Sequence, residues 1–245
     1  MHLDQAATES SAAAPALTLT RPLHPSEYLN IDECTYKNGG RIKDIYVHHG
    51  LPHAVIKIIR PSSVDKYGRF WEHKGLKYPS PTGAYRHFRR ELTQYLELCR
   101  RGYADNRMQF PMATPLGFMP TDRGLALISE RIMDRDRDLG PSLEDLIRTR
   151  SVTKTHIEAL GRLFEECIRL HIIVGDCNTG AMVYTESRSV QPEFVLVDGL
   201  GDKNLIPLRT MSWHYNRRKL LKARSRILNE IAEKMPDLAS VVPRH

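Results

Sequence analysis

Residues 54–59 read Ala-Val-Ile-Lys-Ile-Ile, a run apolar enough for a buried strand that carries Lys57 at its centre. An ammonium taken out of water costs several kcal/mol unless an anion meets it. A fold that buries this strand must therefore bring a carboxylate to it, whereas a half-exposed strand can pack the lysine stem and leave its head in solvent. A hairpin is the setting the neighbours suggest: Ile45-Tyr46-Val47-His48-His49 is a second strand-like stretch, and Gly50-Leu51-Pro52 is the turn between the two.

Carboxylates and glycines follow in an informative order. Gly39-Gly40 precedes the first strand. After a loop over 61–83 with three prolines and three glycines, Tyr85, Phe88, Leu92, Tyr95 and Leu96 recur at helical spacing, which sets Glu91 beside an apolar face. Strand-like runs at 112–118 and 125–132 come next, and Asp134-Arg135-Asp136-Arg137-Asp138 then breaks the pattern at an expected lobe boundary. Ser142 reads as a helix cap, and Ile157, Leu160, Phe164, Ile168 and Leu170 predict a long amphipathic helix from about Thr155. Beyond it, Val174-Gly175-Asp176-Cys177-Asn178 is a polar turn between apolar runs, and Phe194-Val195-Leu196-Val197 delivers Asp198 into Gly199-Leu200-Gly201.

Each of these residues has a plainer explanation when taken alone. An aspartate in a glycine-rich turn makes local hydrogen bonds, Glu91 is a helix residue, and two glycines are a turn signal. Taken together and in order, they are candidates for the parts of a phosphoryl-transfer site: a loop over the phosphates, a fixed cation with its carboxylate, a proton acceptor and a metal ligand.

The chain resembles the YrbL family, described as a PhoP regulatory network protein, within the protein-kinase-like superfamily. The resemblance covers about residues 36–230. It rests on Gly40-Arg41-Ile42-Lys43-Asp44-Ile45-Tyr46, Ile56-Lys57-Ile58, Arg89-Arg90-Glu91-Leu92, Val197-Asp198-Gly199-Leu200-Gly201, and Leu205-Ile206-Pro207-Leu208 followed by Ser212-Trp213. It implies an α+β, bilobal protein-kinase-like fold with a shortened C-terminal lobe, the N-lobe over about 36–133 and the C-lobe over about 140–235 of a domain spanning 23–245. It further implies ATP and magnesium as ligands. Gly39 and Gly40 would cover the nucleotide, Lys57 would meet its phosphates, Glu91 would fix Lys57, and the backbone around Glu130 and Ile132 would bind adenine. Asp176 would accept the proton of a small-molecule or protein hydroxyl, and Asp198 would hold magnesium.

Two departures bear on catalysis. Ala181 stands where such loops usually carry a metal-ligating asparagine, and its methyl offers no oxygen; Asn178, three positions earlier, would be the substitute ligand that the resemblance leaves. No Ala-Pro-Glu element follows Asp176. The alternative is therefore a pseudokinase acting as a regulatory binding module.

Bulk properties set outer limits. The 245 residues, 41% hydrophobic and 27% charged, suit a soluble globular protein with a substantial core. Residues 1–22, rich in Ala, Ser and Thr, read as a disordered tail, a composition that also suits the secretion address of a bacterial effector. The four scattered cysteines suggest neither zinc nor disulfides and point to a reducing cytoplasm, and neither a signal peptide nor a membrane span is evident. The net charge of +7, with the basic cluster at 216–226, makes nucleic-acid binding the third reading, although no sequence-reading motif supports it.

Overall fold

Strand β3 (Ala54–Ile59) is buried at all six positions, because it is the middle strand of a five-stranded sheet with both faces covered. A computed structural model describes residues 28–40, 42–70, 81–202 and 208–238. The tail expected over 1–22 and the Leu205-Ile206-Pro207 motif lie outside the described residues, as does the 71–80 part of the expected loop. The sheet joins β1 (Thr35–Gly39), β2 (Lys43–Val47), β3, β4 (Pro115–Thr121) and β5 (Gly124–Glu130) in the order β1-β2-β3-β5-β4, with every neighbouring pair antiparallel.

Register decides which side chains share a face. Ile45 lies opposite Lys57, Lys43 opposite Ile59, and Lys57 opposite Leu127. Because side chains alternate along a strand, Lys43, Ile45, Lys57, Ile59 and Leu127 point one way, and Tyr46, Ile56, Ile58, Ala126 and Ile128 the other. The second face is closed by Leu29, Ile31 and Met119. On the first face, Ile59 and Leu127 pack against Ala84 and Phe88, the latter on helix α1 (Arg86–Arg101). Burial of each such large apolar side chain stabilises the fold by about 1.5–3 kcal/mol.

Strand β1 shows no hydrophobic pattern, since four of its five residues are exposed. It is an edge strand with a register shift between Tyr36 and Asn38, a device that blunts a free sheet edge. The other expected elements form within a few residues of their anticipated places.

The second half is built on helices. Ser142 caps α2 (Leu143–Arg148) through a capping box with Asp145, and Thr153 caps α3 (Lys154–Arg169). A two-stranded antiparallel hairpin, β6 (Met182–Thr185) and β7 (Glu193–Leu196), is followed by α4 (Leu208–Met211) and α5 (Trp213–Lys234). Ile157, Leu160 and Phe164 of α3 share a core with Phe194 and Leu196 of β7 and with Leu220, Ile227 and Ile231 of α5. The basic cluster at 216–226 therefore lies on a helix whose apolar stripe is buried.

The halves are tied by backbone and charge. Ala113 N–H donates to the Leu196 carbonyl at 2.8 Å, and the buried Arg188 guanidinium holds Glu130 at 2.7 and 3.0 Å while also donating to the Met112 carbonyl at 3.2 Å. The architecture is α+β, and no described helix is long and apolar enough to cross a membrane.

Candidate functional site

Helix α1 buries Phe88, Glu91, Gln94 and Leu98, a stripe at helical spacing. Phe88 seats the helix on Ile59 and Leu127, and Glu91, one turn later, faces the sheet at Lys57. The Lys57 Nζ donates to Glu91 Oε2 at 2.7 Å and to the Val197 carbonyl at 2.7 Å. Gln94, the next member of the stripe, accepts from the Ile173 N–H at 2.8 Å and so ties α1 to the loop carrying Asp176.

A second lysine completes the centre. Lys43 Nζ donates to Glu91 Oε1 at 2.7 Å and to Asp198 Oδ1 at 2.6 Å. Lys43 is 6% exposed, Lys57 2% and Glu91 4%, so three charged groups sit in the interior and one carboxylate bridges two ammoniums. An ammonium has three donors, and each lysine keeps one N–H without a partner among the described residues. Nothing in its immediate sequence neighbourhood marks Lys43 as a site residue. A signal existed: a hairpin folded about Leu51 brings Ile45 opposite Lys57 and sets Lys43 two residues away on the same face.

Burial pushes the Lys43 ammonium down, but Glu91 and Asp198 more than offset this and its pKa is raised. For Asp198, burial acts upward; the fields of Lys43 and Lys57, the Lys43 hydrogen bond and the Gly199 N–H outweigh it, and the carboxyl is held at about 2. A carboxylate whose folded pKa lies below its unfolded value adds stability that is complete above the unfolded pKa and lost as pH falls toward the folded one. The stability gap between the native chain and Asp198→Asn is thus expected to be full at about pH 5 and to narrow steadily below about pH 4, as read from urea midpoints.

The two aspartate turns are fixed side by side. The Asp176 N–H donates to the Gly199 carbonyl at 3.1 Å, the Gly201 N–H to the Ile173 carbonyl at 2.8 Å, and Val174 bridges Leu200. Gly199 has φ +76°, and a Cβ there would lie 2.4 Å from the Asp176 carbonyl oxygen. Both facts exclude a side chain. Gly199→Ala is expected to lower stability by about 2–4 kcal/mol, from the left-handed conformation and from the displaced backbone; a melting temperature within a degree of the native chain would contradict that packing.

The remaining expected site residues fall in several places. Gly39 closes on the Asp44–Arg60 ion pair, where a Cβ would meet Asp44 Oδ1 at 2.4 Å, and the Gly40 N–H donates to the Lys43 carbonyl at 2.9 Å. These glycines thus form the turn that leads into Lys43. At the exit of β5, the Glu130 N–H is bonded to the Thr114 carbonyl at 2.8 Å and the Ile132 carbonyl accepts from Gly140 at 3.0 Å. The Glu130 side chain is committed to Arg188.

Donors for magnesium are poorly provided. Asn178 Oδ1, expected as a metal ligand, accepts from the Ala181 N–H at 2.9 Å and caps the short 3-10 turn Thr179–Ala181. Asp198 Oδ1 is shared by Lys43 and the Gly199 N–H at 2.6 Å, and Ala181 has no side-chain oxygen. No group of three or more His, Cys, Asp or Glu able to hold a metal occurs among the described residues. With Asp198 Oδ1 engaged and Asn178 turned into its own loop, these residues do not form a protein-only magnesium cage, and an octahedral ion here would depend on waters and phosphate oxygens for its remaining ligands.

A family model described as PhoP regulatory network protein YrbL matches residues 31–232, a span containing every residue of this centre. The chain belongs to that family. No curated protein matches it.

Proposed function

We propose that this YrbL-family chain is a nucleotide-binding domain of protein-kinase-like fold, with the phosphates of ATP meeting the face of the sheet that carries Lys57. The observation that carries this reading is the Lys57–Glu91 ion pair, buried between a sheet and a helix and placed beside Asp198. A helix between β3 and β4, a polar loop before a small hairpin, and an Asp-Gly turn after it are the order in which kinases arrange the cation, its carboxylate partner, the proton acceptor and the acidic turn. The low dielectric around Lys43 and Lys57 strengthens any contact to phosphate oxygens, and each ammonium has a donor to give.

Binding is the favoured activity, and the chain acts as a regulatory module that reports nucleotide. Phosphotransfer to a small-molecule or protein hydroxyl is the second reading, favoured by the fixed pairing of the Asp176 and Gly199 backbones, which holds a proton acceptor next to the Asp198 turn. A ligand that binds only the folded state raises the melting temperature. ATP, ADP and GTP are therefore to be compared by thermal shift, and a chain that responds to none of them at millimolar concentration refutes the proposal.

A further inference from the structure

We infer that Lys43 takes the place of a divalent cation in this centre, so that a nucleoside triphosphate binds without magnesium. The inference rests on the nucleotide-binding reading above and concerns the requirement of that same site for a metal.

Five observations lead to it. The Lys43 ammonium lies 2.6 Å from Asp198 Oδ1, the carboxylate on which the metal would depend. It is held from the other side by Glu91 at 2.7 Å and is buried at a fixed register position opposite Ile59, so it is part of the scaffold and not a mobile surface group. Asn178 is committed to its own loop and Ala181 has nothing to offer. The four groups Lys43, Lys57, Glu91 and Asp198 already balance in charge; a divalent ion placed against Asp198 would face the Lys43 ammonium across one carboxylate, and like charges at that separation repel. Lys43 also retains an N–H that can donate to a phosphate oxygen directly, at the position where a metal would otherwise bridge Asp198 and the phosphates.

The test is calorimetric titration of ATP into the native chain and into Lys43→Met, in buffer with EDTA and in buffer with magnesium. For the native chain the affinity in EDTA is expected to equal that in magnesium within about threefold, or to exceed it. For Lys43→Met, affinity in EDTA is expected to fall by about tenfold or more, and magnesium to restore part of it because Asp198 is released. Native binding weaker in EDTA by more than about threefold overturns the inference and leaves nucleotide binding intact. Lys43→Met binding as tightly as the native chain in EDTA also overturns it. Absence of binding in both buffers refutes the nucleotide reading itself, and the inference falls with it. The native comparison needs no variant, so a Lys43→Met chain that fails to fold does not remove the test.

Discussion

Replacing Glu91 by alanine is expected to cost about 3–5 kcal/mol of folding stability, the penalty for breaking a buried ion pair by removing one partner. In a chain of this size that is a fall of roughly 6–20 °C in melting temperature. The loss is large because one carboxylate serves two ammoniums: Lys57 is left with the Val197 carbonyl alone, and Lys43 with Asp198, which is half exposed. Glu91→Gln keeps the volume and removes the charge, so it should lose nearly as much. Urea melts of both variants against the native chain read the loss. A loss below about 1 kcal/mol would mean that the lysines are solvated and that the centre is not a closed ionic network.

The second large effect concerns ligand. Lys57→Met is expected to weaken ATP binding by about a hundredfold, since it removes a desolvated charge that can be matched only by a phosphate or by Glu91. Folding should survive, because Glu91 keeps its 2.7 Å contact with Lys43 and methionine fills the space of a lysine stem among Val55, Ile59 and Leu127. Calorimetry on a variant shown to melt near the native temperature separates the two consequences. Unchanged affinity in such a variant would remove Lys57 from the binding site.

How far the sequence discloses this centre depends on how local the cause is. The Lys57 strand announces itself, because an ionised side chain inside a run of aliphatic residues demands a partner, and the Glu91 helix is readable from the spacing of Tyr85, Phe88, Leu92 and Tyr95. The Ser142 cap is legible for the same reason, since capping residue and helix adjoin in the chain. Lys43 is different. It stands at the start of β2 beside the exposed turn, where lysine is ordinary, and only register, a long-range property, turns it onto the face of Lys57. Asn178 misleads in the opposite direction: its residue type suits a metal, but the nearest unsatisfied donor is the Ala181 N–H three residues on, and the short local hydrogen bond prevails. β1 escapes notice because an edge strand with exposed side chains has no apolar alternation to show.

The buried Lys57–Glu91–Lys43 centre as a phosphate-binding site is the claim on which the rest depends, and a structure of the native chain bound to a non-hydrolysable ATP analogue tests it most directly. Phosphate oxygens should lie within about 3.2 Å of both Lys57 Nζ and Lys43 Nζ, the reach of a charge-assisted hydrogen bond, with the Lys57–Glu91 contact preserved. A nucleotide seated elsewhere, or one whose phosphates touch neither lysine, would contradict the account.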